Sequence, residues 1–260
     1  MSPNHRHEPG TRFMTAFAAM ALALAPWASQ TVLAHPGNPG IHAKPQAGKQ
    51  VPSSFDIVHA RVHVHDNVLV FDMKVSADAG AIKPAATGKF AGSEVYSYVW
   101  PTKLDSAAVG FDQGAGILAF AVTAHPDFDD TPLYDENRDG KLDNDGDLWH
   151  SHWVVLVPDD ACGPKALKVK DIPAGTTPRL PATWPGVPLL IDSPGYSPVF
   201  DADSVSVRVP LAAVGAVKGV AYDGVAAGLR VNASVHEPLL CVVNVWDVAS
   251  GDLSLPGKID

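Results

Sequence analysis

The stretch Ile57–Val75, IVHARVHVHDNVLVFDMKV, alternates apolar and polar residues on both sides of Asp66-Asn67. Alternation with a period of two marks a strand with one buried face, and a pair of turn-forming residues between two such runs marks an antiparallel hairpin. With Asp66-Asn67 as a two-residue turn, His65 faces Val68, Val64 faces Leu69, Val62 faces Phe71, Ala60 faces Met73 and Val58 faces Val75. The apolar residues of both strands then share one side, as a buried face requires. His59, Arg61, His63 and His65 fall on the other, with Arg61 opposite Asp72.

Similar runs follow at Val95–Trp100, Gly116–Thr123, Trp149–Val157, Ser204–Val209, Gly228–Val235 and Leu239–Val248, separated by Gly, Pro, Asp and Asn. Only Leu211–Val220 suggests a short helix. The expected fold is all-β, a single antiparallel β-sandwich. Between Ala174 and Pro198, prolines at 178, 181, 185, 188, 194 and 198 exclude a central strand. That segment is expected to cover one sandwich edge.

Residues 1–34 have the layout of a secretory signal peptide: Arg6 and Arg12, an apolar run from Thr15 to Ala25, then Val32-Leu33-Ala34. The apolar run is too short for a permanent bilayer span, and no later run is longer, so no membrane insertion is expected. Residues 35–54 are rich in Pro and Gly and read as a flexible arm, which leaves 55–260 as the folded domain. The expected location is periplasmic or secreted. The net charge of −9 argues against nucleic acid as a partner. In an oxidising compartment the two cysteines, Cys162 and Cys241, are expected to form a disulfide.

From Asp135 the chain reads DENRDGKLDNDGD. Asp135, Asn137 and Asp139 alternate, Gly140 follows, Lys141 offers a carbonyl, and Asp143 comes next. A hard divalent ion is held by six to eight oxygens, which a tight glycine turn can gather. These 13 or so residues resemble the calcium loops of EF-hands and of thrombospondin type 3 repeats. The resemblance implies calcium bound by Asp135, Asn137, Asp139, Lys141, Asp143 and either Asp145 or Asp147, because the twelfth position, where an EF-hand has Glu, is Gly146. No flanking helices are predicted, so the ion is expected to be structural. Charge supports it: nine acidic residues between Asp127 and Asp147 face only Arg138 and Lys141.

The loop runs into WHSHW. Strand alternation places His150 and His152 on one face, where they can share a metal, with Trp149 and Trp153 on the other. His125, in HPDFDD, lies at the end of a predicted strand and is a further candidate ligand. Cleavage after Ala34 would make His35 the N-terminus, an arrangement that resembles the histidine brace of lytic polysaccharide monooxygenases and periplasmic copper carriers. Imidazoles suit copper or zinc, as the carboxylate loop suits calcium.

No lipase-type elbow, zincin motif, P-loop or dinucleotide fingerprint is present. The sequence therefore points to an exported metal-binding β-sandwich with structural calcium and a histidine site for copper or zinc. Two alternatives stand beside it. One is a haem electron-transfer domain resembling DOMON sandwiches, with Met73 as an axial ligand. The other is a calcium-stabilised carbohydrate-binding module that uses Trp149, Trp153, Trp184 or Tyr196 for stacking.

Overall fold

A computed structural model of the chain describes residues 39–43 and 50–260. The expected leader and His35 lie outside the described residues. In chain order the strands are β1 (Ile41–His42), β2 (Ile57–His65), β3 (Val68–Val75), β4 (Glu94–Pro101) and β5 (Ile117–Ala124). β6 (His150–Pro158), β7 (Leu167–Val169), β8 (Ile191–Asp192), β9 (Val199–Asp201) and β10 (Ser204–Pro210) follow. A one-turn helix α1 (Leu211–Val214) then precedes β11 (Ala221–Tyr222), β12 (Val225–Val231), β13 (Leu240–Val248) and β14 (Gly257–Lys258). Among the described residues no helix is long and apolar enough to cross a membrane.

The architecture is a closed barrel with flanking sheets, which corrects the expected sandwich. Strands β5, β4, β12, β13, β7 and β6 pair in that order, and β6 returns to β5 from Ile117↔Leu156 to Thr123↔His150. A sandwich would leave β5 and β6 as edges; their pairing removes both. β8 adds to β6. A five-stranded sheet ordered β1-β2-β3-β10-β9 and a small β11–β14 pair complete the fold.

The barrel strands are buried on both faces, unlike the half-buried strands of the expected sandwich. On β6, Trp153 and Val155 pack outward against the five-stranded sheet, while Val154 and Leu156 point into the bore. β4 divides in the same way, with Tyr98 and Trp100 outward and Val95 and Val99 inward. Phe71 of β3 joins the layers, stacking on Phe120 with ring centroids 4.5 Å apart and meeting Trp153 edge-on. Trp100 Nε1 donates to Asp72 O at 3.1 Å. Met73 is 1 % exposed within this core. Close approach of barrel and sheet requires Gly224, where an added Cβ would lie 2.5 Å from Ala60 Cβ.

The hairpin has its expected register from His65↔Val68 to His59↔Lys74. Beyond that a bulge places Ile57 opposite Val75, so Val58 is extruded and 39 % exposed instead of facing Val75 in the core. Within 35–54, Ile41–His42 pair with Ala60 and His59, and Ile41 is buried. The proline-rich segment contributes more than a cover: Leu189 and Ile191 pack in the barrel, and Ile191–Asp192 pair with β6.

Cys162 and Cys241 are bonded, with Cα atoms 5.4 Å apart. The bond clamps a thin seam, because β7 meets β13 through the single register pair Cys241↔Lys168. Replacing both cysteines with serine is expected to lower unfolding stability by about 2–5 kcal/mol. A denaturant titration giving the same midpoint and slope for both proteins would contradict this role.

Candidate metal centre

The connection between β5 and β6, residues 125–149, begins with His125, carries the acidic run and leads into His150 at the start of β6. Strand alternation turns His150 and His152 to the inside of β6. His125 follows β5 directly, and the chain then folds back so that Asp130 lies among the three rings. All four side chains are between 1 and 8 % exposed.

Three imidazole nitrogens converge on one oxygen. Asp130 Oδ1 lies 3.2 Å from His125 Nε2, 3.2 Å from His150 Nε2 and 3.3 Å from His152 Nε2. Yet Asp130 Oδ1 and His152 Nε2 are buried without a hydrogen-bond partner, since these distances are not matched by hydrogen-bond angles. Buried polar atoms are rarely left so. Four atoms around a tetrahedral ion at about 2.0–2.1 Å are about 3.3–3.4 Å apart, so the three oxygen–nitrogen separations are compatible with an ion held among these groups. His125 Nε2 and His150 Nε2 are closer, at 2.9 Å.

The opposite ring nitrogens fix the tautomers. His125 Nδ1 donates to Phe128 O at 2.9 Å and His150 Nδ1 to Leu148 O at 2.8 Å. A carbonyl only accepts, so both rings carry their proton on Nδ1 when neutral, leaving an Nε2 lone pair inward. His152 Nδ1 reaches Ser193 Oγ at 3.1 Å, and that hydroxyl donates to Asp130 O at 2.7 Å, so it too accepts from the ring. Ser193 thereby ties the carboxylate-bearing residue to one of the rings. Thr123 Oγ1 lies 3.1 Å from His150 Nε2.

Charge is balanced unevenly across the cluster. Desolvation works to raise Asp130, but His152 and His125 beside it hold its carboxyl well below the usual range. Desolvation works to lower His125, and Asp130 outweighs it, so His125 is raised. Desolvation dominates at His150 and pushes it down to about 4. The ionised Asp130 carboxylate thus favours the charged form of His125, while burial favours the neutral form of His150.

His125, His150 and His152 were all candidates in the sequence, and the fold brings them together. Asp130 was not among them. The available signal was HPDFDD itself, which offers a carboxylate five residues after a candidate ligand histidine. His59, His63, His65 and His236 are not part of the cluster.

The acidic loop is arranged differently from the expected calcium shell. Asp135 accepts from the backbone N–H of Asp139 and Gly140, Asn137 Oδ1 from Asp139, and Asp139 from Lys141, so these side chains cap their own turns. Lys141, Asp143 and Asp147 are exposed. The carboxylates that gather are Asp145, which was among the expected ligands, with Asp129 and Glu136, which were not. Asp145 is buried and accepts from the N–H of Glu136, while Asp129 accepts from Asp145 N and Thr131 N. These bonds brace the chain on either side of Asp130.

Of the aromatic residues considered for sugar stacking, Trp153 is fully buried, Trp149 packs on Tyr98 and Phe200, and Trp184 donates to Leu189 O. Met73 lies in the sheet–barrel core. No protein-family model, curated protein or solved structure matches the chain.

Gly146 makes the loop possible. A Cβ there would sit 1.7 Å from Phe128 O and 2.6 Å from His125 O, and Gly146 O accepts from His125 N. This close approach, rather than a missing calcium ligand, accounts for a glycine at that position. Gly146→Ala is expected to displace the 125–128 backbone and lower the melting temperature by several degrees. An unchanged melting temperature would show that the loop does not need this contact.

Proposed function

We propose that this is an exported metal-binding protein that holds one copper or zinc ion through His125, Asp130, His150 and His152. The observation that carries the reading is the convergence of three Nε2 atoms on Asp130 Oδ1 at separations compatible with a bound ion, with the Nδ1 atoms engaged elsewhere. Three imidazoles and one carboxylate suit copper or zinc; calcium prefers an all-oxygen shell. Hydrogen bonds to the far side of each ring favour tight binding by fixing orientation. Export is supported by the signal-like sequence of residues 1–34 and by the disulfide.

Protein purified from the periplasm without chelator should carry one equivalent of copper or zinc by elemental analysis, and the His150→Ala/His152→Ala variant should carry none. Ser193→Ala should bind that metal about 10- to 100-fold more weakly. Equal metal content in parent and double variant would remove the proposal. Because metal and protons compete for the imidazole nitrogens, affinity should decrease as the pH is lowered, by up to about tenfold per unit for each proton displaced. A pH-independent affinity between 5 and 8 would contradict that competition.

A calcium ion in the acidic loop is a second part of the proposal, now centred on Asp129, Glu136 and Asp145. It is supported by the local excess of carboxylates and by Glu136 Oε2, which is buried without a partner. Desolvation raises the Glu136 carboxyl, with further contributions from Asp129 and Asp145, so a cation there would be favoured. Millimolar calcium added to metal-free protein should raise stability by about 2.7 kcal/mol at 100 times its dissociation constant. An unchanged melting temperature would exclude the ion.

A further inference from the structure

The four-residue cluster closes one end of the barrel bore, and the bore itself is hollow. A cavity of about 90 Å³ runs from the cluster along the barrel axis. Val99, Ala121, Val154, Val225 and Ala227 are among its walls, and His125, Asp130 and His152 form its polar end. The alanines leave the space that larger side chains would fill. Val245 and Leu253, 46 % and 38 % exposed, line the cavity and reach solvent.

Away from the cluster and Thr123 beside it, the bore presents no free polar group along its walls. Ser97 Oγ donates to Ala227 O at 2.8 Å, and Thr123 Oγ1 lies at the cluster end, 3.1 Å from His150 Nε2. A molecule inside can therefore be polar only at the end that meets the cluster. Charge sets what that end must be. Three neutral imidazoles, one carboxylate and a divalent ion sum to a single positive charge at the floor of an apolar tube, which a monoanion neutralises. Zinc and copper accept a fifth ligand from that side. Size limits the tail: apolar cavities of about 150 Å³ take benzene, so about four carbons fit here.

We propose that the bore binds a short aliphatic monocarboxylate, its carboxylate ligating the metal and its tail lying between Ala121 and Ala227. This rests on the metal reading above. The test uses protein loaded with one equivalent of cobalt(II), whose visible spectrum reports coordination. Butyrate should change that spectrum saturably, with each methylene from acetate to butyrate tightening binding about fourfold. Butanol and butylamine should bind far more weakly, the first leaving the charge uncompensated and the second adding to it.

Ala227→Leu should retain one cobalt but lose the butyrate response, and the milder Ala227→Val should weaken it while acetate still binds. No cobalt uptake by the parent overturns both the metal reading and this one. One bound cobalt with no butyrate response, with equal affinity for acetate and butyrate, or with an undiminished response in Ala227→Leu, overturns the bore alone.

Discussion

The pairing of β5 with β6 is the constraint on which the rest of the structure depends. It runs from Ile117↔Leu156 to Thr123↔His150 and turns an open sheet into a barrel. Closure gives β6 two buried faces, so the two histidines at its start are shut inside. It also makes residues 125–149 a hairpin connection, which returns Asp130 to the same end of the bore. Were β5 and β6 separate edges, His125 and His150 would have no reason to meet.

Much of the β structure was legible because alternation is a local property. The β2–β3 register followed from Asp66-Asn67 and the placement of Val62, Val64, Leu69 and Phe71 on one face. Closure was not legible, because β5 and β6 are separated by the irregular connection 125–149 and the barrel also needs β4 to pair with β12, far away in sequence. The apolar runs ILAFAV and WVVLV carried a clue, since strands apolar on both faces are covered on both. The bulge at Val58 was hidden for another reason: its apolar side chain fits either register, and only packing against the barrel decides.

The site shows the same division. His150 and His152 could be placed on one face by period alone, and His125 by its position at a strand end. Asp130 was submerged among the carboxylates around it, which all look alike in sequence. Their partners separate them. Asp130 faces the rings, Asp129 and Asp145 hold backbone amides, and Asp135 and Asp139 cap exposed turns. The EF-hand-like spacing thus reports turn geometry as readily as ion binding, because short carboxylates at alternate positions serve both.

The most direct test of the central claim is X-ray absorption fine structure at the metal edge of protein purified without chelator. The account predicts a single shell of light atoms at about 2.0–2.1 Å with the outer scattering of three imidazoles. A shell of oxygens without imidazole scattering, or a sulfur shell at about 2.3 Å, would contradict it.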